Sequence, residues 1–536
     1  MSGQFRQSMT GVHTWAGLVT GWLLYFIFVT GTAGYFNSEI TRWMQPERPP
    51  LDRAMSPEQA VRVALDTLDE RAAGASKWYI YLPGHRSELD LRVFWEQPAS
   101  AASGMASTTA LNLDATSGEP ARYRATGGGD SLYRMHWRLR YLPREAAIWL
   151  VGACSMLMLT AIVAGVIIHK RIFRDFFTFR PGRGQRSWLD VHNLLGVLAL
   201  PFHIMITWSG LLFFATTYFA LFLAAGYGGG VEERQRFLDD VFDYLQVEAA
   251  ERPAPLAPLQ PMLDTAALRW DDPERSEVEH IIFHHPGDAN ARVVIARRDS
   301  GPMRFNERLI FDGSSGALLA GDDHVGDAPV TLRETLIGLH EGHFAGGTLR
   351  WLYFVSGLLG AGMVATGLVL WTVKRRQRLE KGRPAPQRGL RLVERLNVGT
   401  IVGLPLGIAG YFWANRLLPL DLEQRADWEA DVLFLVWLAM LVHAMARPRH
   451  RLWAEQLWTA AAAFALLPLV NAATTERHLG QSLPAGDWVM AGFDLTVLAL
   501  GLAAGLAALT AQQRRPASLL RAGSAASHLP RGSAAR

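Results

Sequence analysis

The sequence predicts a membrane protein, mainly α-helical, with eight transmembrane helices and two small α+β modules held outside the bilayer. Three observations predict it. Apolar runs of about 20 residues, enough to cross ~30 Å of hydrocarbon, recur along the chain. The loops between them alternate between strongly basic and neutral-to-acidic. Two long stretches between runs switch to strand-like alternation.

The runs fall near 12–35, 147–169, 190–224, 350–373, 395–416, 431–446, 453–472 and 487–510. The third is long enough to tilt or to extend past the bilayer, and the sixth is short. Apolar residues make up 49% of the 536 and charged ones 19%, with 18 Trp and 25 Phe, a balance unlike that of a soluble multidomain enzyme. The first run opens on His13 and Trp15 and lacks a small-residue cleavage site, so it reads as a retained helix. Trp15, Trp22, Trp137, Trp188, Trp208 and Trp351 near span ends read as an interfacial belt.

Between spans two and three stand Lys170, Arg171, Arg174, Arg180, Arg183 and Arg186 against a single Asp175. Lys374, Arg375, Arg376, Arg378, Lys381 and Arg383 follow span four, Arg447, Arg449 and Arg451 follow span six, and Arg514 and Arg515 follow span eight. The alternate loops are neutral or acidic, as at Asp421, Glu423, Asp427 and Glu429. The positive-inside rule puts both termini and the basic loops in the cytoplasm. A net charge of +4 is modest and gives no reason to invoke nucleic acid. The chain then divides into helix 1 (1–36), module 1 (37–146), helices 2 and 3 with a basic loop (147–224), module 2 (225–349), helix 4 with a second basic loop (350–393), four further helices (394–510) and a cytoplasmic tail (511–536).

In module 1, Ser56-Pro57-Glu58-Gln59 is a helix start leading into an amphipathic segment with Ala60, Val63, Ala64 and Leu68. Residues 78–82, 89–95 and 111–119 alternate as strands, the last closing on Asp114-Ala-Thr-Ser-Gly118, a hairpin signal. Module 2 repeats the plan at 278–283, 291–296 and 309–317, with Asp312-Gly-Ser-Ser-Gly316, after the Pro-rich linker 253–258. Gly127–Gly129 and Gly228–Gly230 read as loops, without a following helix of phosphate-binding geometry.

The histidines carry the chemistry. His13-Thr-Trp-Ala-Gly17, followed by Thr30-Gly31, is matched at the same spacing by His192-Asn-Leu-Leu-Gly196, followed by Ser209-Gly210. His136 precedes span two and His340 precedes span four, and a Lys-Arg pair follows each 34 residues later. The core therefore reads as two copies of helix–module–helix. An ionisable residue at the end of a membrane helix is costly without a function, and two imidazoles on facing helices can hold one haem iron. His13 with His192 would make an inner pair, and His136 with His340 an outer one. His203, eleven residues after His192, lies about 16 Å further along a straight helix and near the same face, and is an alternative ligand with His340 or His136. His343 is a further ligand, a proton donor beside a propionate, or a surface residue. Arg138, Arg140 and Arg350 are propionate partners or interface anchors, while Gly17, Gly31 and Gly196 leave room for close helices and a flat macrocycle. His169 and His443 read as headgroup-level residues, and His280, His284 and His285 as part of an ordinary exposed turn. Cys154 is the only cysteine, which excludes disulfides within the chain, covalent haem attachment and cysteine-held clusters. Any haem is non-covalent and b-type.

The Ser-Pro-Glu-Gln-Ala helix followed by a strand ending in Asp-x-x-x-Gly resembles a PepSY domain. Together with the His-x-x-x-Gly helices, the loop Phe179-Arg-Pro-Gly-Arg183 and the run Leu339-His340-Glu-Gly-His343-Phe, residues 1–380 resemble the PepSY-associated transmembrane family of iron-regulated inner-membrane proteins. That resemblance implies a bacterial inner-membrane protein with two b haems that reduces ferric siderophores or other ferric chelates in the periplasm. No segment reads as a dinucleotide-binding unit and the cytoplasmic loops are too short for a flavin domain, so electrons are expected from a membrane quinol or a cytoplasmic donor docking on the basic loops. Two readings of other classes remain: a membrane-anchored regulatory or binding protein without redox activity, and a metal transporter using His13, His192 and Glu341. The role of residues 394–510 is not implied by the resemblance.

Overall fold

The first span folds as one apolar rod, α1 (Gly3–Gly34). This computed structural model describes residues 3–513 except 50–52, 84–87, 99–106, 170–179, 181–183, 219, 231, 234–235, 237–244, 246, 276, 299–306, 322–327 and 383–386. After α1 come α2 (Asn37–Met44), α3 (Pro57–Arg71), β1 (Lys77–Tyr81), β2 (Leu91–Gln97), β3 (Ser107–Leu113), α4 (Gly128–Arg138) and α5 (Arg144–Ile168). The second half repeats the order with α6 (Gln185–Leu198), α7 (Leu200–Leu212), α8 (Leu259–Trp270), β4 (Val278–His284), β5 (Arg292–Arg297), β6 (Arg308–Asp312), β7 (Leu318–Gly321), α9 (Ala328–Glu341) and α10 (Gly347–Glu380). The described residues end in α11 (Gln387–Ile401), α12 (Gly403–Leu417), α13 (Arg425–Ala446), α14 (Arg449–Thr474) and α15 (Trp488–Gln513). Among the described residues, seven helical segments are long and apolar enough to cross a membrane, and up to eight if the bent pair α6–α7 is one span.

That bend corrects the expectation for span three. α6 and α7 meet at 66°, with Pro201 in the first turn of α7, where a ring without an N–H interrupts the helical ladder. His192 and His203 therefore do not share one straight helix face. The short sixth span begins earlier than its apolar run, so Asp427 and Glu429 belong to α13 and not to a loop. α4 starts at Gly128, inside the glycine run expected to be loop. A Cβ at Gly129 would collide with the backbone of Asn37, so glycine is what lets α4 lie against α2.

The two modules, separate in sequence, share one antiparallel sheet in the order β3-β2-β1-β4-β5-β6-β7. β1 and β4 join them, with Trp78 opposite Phe283 and Ile80 opposite Ile281. Each half alone would expose an unpaired edge there, and pairing removes both. One sheet face is buried under α3 and α8 around Leu68, Ile80, Met262, Ile281 and Phe311. The capping box of α3 is formed, Ser56 Oγ accepting from the Gln59 N–H and the Gln59 side chain from the Ser56 N–H, both at 3.3 Å. The repeated Asp-x-x-x-Gly turns match as well. Asp114 accepts from the backbone of Thr116 and Ser117 at 2.9 Å. Asp312 does so from Ser314 at 3.1 Å and Ser315 at 2.9 Å, and the Ser314 hydroxyl leads the bonds that hold its carboxyl down at about 2.

Of the basic positions, Lys170, Arg171, Arg174, Arg183, Arg383, Arg514 and Arg515 lie outside the described residues, as do Phe179 and most of its motif. Arg180 of that motif is described and binds Asp190 at 2.8 Å.

Candidate functional site

α1 packs between α5 and α10, α6 packs on α10, α7 on α5 and α9, and α4 on α1. This arrangement brings together two pairs of histidines. The rings of His13 (α1) and His192 (α6) have centroids 6.1 Å apart, and those of His136 (α4) and His340 (α9) are also 6.1 Å apart. Two metal–imidazole bonds of about 2.0 Å, each extended by roughly 1.1 Å from nitrogen to ring centre, would set two rings about 6.2 Å apart across one metal. Both pairs have that span.

Each ring is also anchored through the same atom. His13 Nδ1 meets the carbonyl of Ala161 at 2.8 Å, His192 Nδ1 that of Met363 at 2.9 Å, and His136 Nδ1 that of Ile27 at 3.0 Å. His340 Nδ1 meets the Ser209 hydroxyl at 3.0 Å, beside the carbonyl of Ile206. A carbonyl can only accept, so Nδ1 carries the proton and Nε2 is left with a lone pair, the form that binds a metal. Four residues after each backbone acceptor stands a glycine, Gly165, Gly367, Gly31 or Gly210. An added Cβ would meet the histidine ring at 3.3, 3.1, 2.5 and 3.0 Å respectively. The missing side chain exposes a helix carbonyl that already accepts one backbone bond, and the imidazole takes its second lone pair. Gly31 thus makes room for His136 itself. A Cβ at Gly196 would meet Met363 Sδ at 3.2 Å, and one at Gly17 would meet open space. The glycine rule at 165 and 367 is legible in sequence only once the helices are known to face the histidines.

His136 and His340 line a cavity of about 780 Å³ that extends to Glu279 and Arg298 of the sheet and to Glu341, His343 and Arg350, within the ordinary size of a cofactor pocket. His203 joins neither pair. It is fully buried, its ring contacts are Phe28 and Phe202, and the carbonyls of Gly196 and Ser356 face it without a well-formed hydrogen bond to either nitrogen. His343 is half-exposed beside Glu341 at 3.8 Å. Arg350 pairs with Glu39 and Arg140 with Asp427 at 2.9 Å, so both already have carboxylate partners, while Arg138 is exposed. His443 sits 3.2 Å from Glu455. The module histidines are not an exposed turn: His284 is a buried strand residue opposite Lys77, His280 stacks on Tyr81 at 5.1 Å, and His285 reaches the carbonyl of Val247 at 2.9 Å.

Among the described residues, no three His, Cys, Asp or Glu side chains gather around one point. His13, His192 and Glu341 in particular form no such cluster. A donor set of two opposed imidazoles fits a metal whose other ligands come from a flat macrocycle, not a bare ion held by protein alone.

An uncharacterized protein of Pseudomonas aeruginosa is 29% identical over 392 residues, an alignment covering 69% of this chain and 92% of that one. The family model for the PepSY-associated TM region matches residues 10–374, which run from α1 to α10 and include all four paired histidines. The chain is thus a multi-pass membrane protein that belongs to the PepSY-associated TM region family.

Proposed function

We propose that this protein is a bacterial inner-membrane electron carrier holding two non-covalent b haems, one between His13 and His192 and one between His136 and His340, and that it reduces a ferric chelate such as a ferric siderophore on the periplasmic side. The observation that carries the reading is the pair of 6.1 Å imidazole separations with every Nδ1 tied back to protein. A bound haem would supply reversible one-electron chemistry. The chain's own residues set the route. Ile27, which anchors His136, lies 14 residues after His13 on α1, about 21 Å along the helix and most of the ~30 Å hydrocarbon core. The two pairs therefore sit towards opposite faces of the membrane. His203, on α7 between His192 and His340 in sequence, is fully buried as well.

Orientation by the positive-inside rule puts the His13–His192 pair towards the cytoplasm and the sheet in the periplasm. Electrons would enter from a membrane quinol or a cytoplasmic donor. An apolar cavity of about 1450 Å³ between α1, α10 and the C-terminal helices, lined by Phe354, Phe412, Phe464 and Trp453, offers a lipophilic quinol a way to the core. One electron delivered outside converts Fe³⁺, which prefers hard oxygen donors, into more weakly held Fe²⁺. His343, Glu341 and Arg298 stand where the outer cavity meets the sheet, on the side a chelate would approach.

The test is haem content per purified chain with spectra before and after dithionite. Two b haems per chain are expected. Absence of b-type Soret and α bands sinks the reading and leaves the regulatory or transport readings. Both bands should persist in His203→Ala. Loss of either band in that variant would replace one of the assigned ligands with His203.

A further inference from the structure

The four C-terminal spans lie beyond the family match, yet side chains of α12 and α13 converge on α4, the short helix that carries His136. At its start, Tyr411 of α12 donates to the carbonyl of Gly128 at 2.8 Å, and Arg425 of α13 donates to that of Ala125 at 2.7 Å. The Thr126 hydroxyl donates to Glu429 at 2.5 Å, and the Asn415 amide does so at 2.7 Å. Arg425 and Glu429 pair with each other, both side chains fully buried. Just past the other end of α4, Arg140 binds Asp427 at 2.9 Å, and Tyr141 donates to Asp431 at 2.6 Å. Positions 425, 427, 429 and 431 occupy the first two turns of α13. One helix therefore grips α4 at both ends.

A buried ion pair is a poor way to add stability, because desolvating two charges offsets most of their attraction. It is a good way to fix geometry, since only one arrangement satisfies both groups. On the other face, α2 completes the grip. The Thr41 hydroxyl accepts from the Gly129 N–H at 3.0 Å. The repeat partner α9, carrying His340, packs instead on α7.

We infer that the C-terminal spans act as a clamp on α4, with Arg425 and Glu429 as positioning residues that set the place of His136 in the outer pair. The inference rests on the proposed role of His136 as a ligand, and its test reads the clamp in two independent ways. The full chain in detergent or nanodiscs is compared with Glu429→Gln and Arg425→Met. Tyr411→Phe and Thr126→Ala serve as milder variants should either fail to fold. Amide exchange across 128–138 should rise about tenfold or more as α4 opens locally, while exchange across 328–341 stays unchanged. In a redox titration, the midpoint and low-temperature magnetic spectrum of the centre lost in His136→Ala should shift, and those of the His13–His192 centre should not. Arg425→Lys, which keeps the charge without the planar fork, should fall between. Unchanged exchange in α4, or equal rises in α4 and α9, overturns the clamp. Shifts of both centres together overturn it as well. If the wild-type chain shows no b-type bands, the functional reading fails, and the exchange measurement still decides the clamp.

Discussion

In the first repeat, His136 rests on the Ile27 carbonyl of α1, with Gly31 so close that an added Cβ would lie 2.5 Å from its ring, and α13 holds its helix at both ends. In the second, His340 rests on the Ser209 hydroxyl of α7, a Cβ at Gly210 would lie 3.0 Å from its ring, and its helix packs on α7. The inner histidines differ less: His13 and His192 each meet a backbone carbonyl within 2.8–2.9 Å. The duplication has kept the geometry of the paired histidines while letting the supports diverge, and most of the divergence is at the outer pair. In the proposed two-haem reading such a difference would give two sites of identical chemistry different potentials.

Removing one of the four paired histidines is the strongest way to break the comparison. His13→Ala and His192→Ala should each lose the same centre, leaving about half the haem per chain, and His136→Ala and His340→Ala should each lose the other. Haemochrome content with reduced-minus-oxidised spectra checks this. If His13→Ala and His136→Ala deplete the same band, the pairing is wrong, whatever the total.

Adding one methyl group at the supporting glycines is gentler and ranks the sites. Gly31→Ala puts a Cβ where only 2.5 Å is free, against 3.0 Å at Gly210, 3.1 Å at Gly367 and 3.3 Å at Gly165. Overpacking of this kind costs about 1–3 kcal/mol where neighbours cannot give way. Gly31→Ala should therefore displace His136 and depress outer-centre occupancy most, and Gly165→Ala should be nearly silent. Haem retention during thermal melts gives the order, and equal losses at all four positions would contradict it.

How much of this was legible in the sequence follows from which forces are local. The spans could be read because most are continuous apolar runs, and the pairing of histidines because a duplication repeats spacing. The bend at Pro201 was visible as a proline but not as a 66° turn, since its size depends on what α6 and α7 pack against. The fused sheet escaped because edge pairing between β1 and β4 joins strands about 200 residues apart, and alternation records which face is buried, not which strand lies alongside. Glu429 read as loop because a carboxylate beside an apolar run normally marks its end. Its partner Arg425 and the distant Thr126 are what allow it inside. The Nδ1 anchors of His13, His136 and His192 were beyond reach for the same reason, as each acceptor is a backbone carbonyl, which every residue has.

The seam of the sheet offers a pH test that separates the modules. His284 of module 2 faces Lys77 of module 1. Burial, with the charges of Lys77 and His285 adding to it, holds His284 neutral down to about 4. An unfolded histidine binds its proton near pH 6.5. Stability at the seam is thus full above about pH 6.5 and is lost as pH falls towards 4, because the unfolded form takes up a proton the folded form refuses. Protection factors for amide exchange in β1 and β4, which correct for the slower intrinsic exchange at low pH, should fall between pH 7 and 4.5, with the outer strand β3 less affected. His284→Gln should flatten the dependence, and a seam that loosens equally in that variant would assign the effect elsewhere.

The smallest effect expected is also the most specific to the repeats. Ser209 and Thr30 occupy matching positions, yet only Ser209 touches a paired histidine; the Thr30 hydroxyl donates to the Phe26 carbonyl of its own helix at 2.7 Å. Removing the Ser209 hydroxyl takes one hydrogen-bond partner from His340 Nδ1, a loss of about 1 kcal/mol, and the Ile206 carbonyl remains beside the ring to accept the proton. Nδ1 protonation, and with it the Nε2 lone pair, should therefore survive in Ser209→Ala. Its expected signature is a small shift in the outer-centre potential with full haem content, and no shift in Thr30→Ala. Matching shifts in the two variants would mean that the hydroxyls act through helix packing, and that the second repeat has no separate anchor for His340.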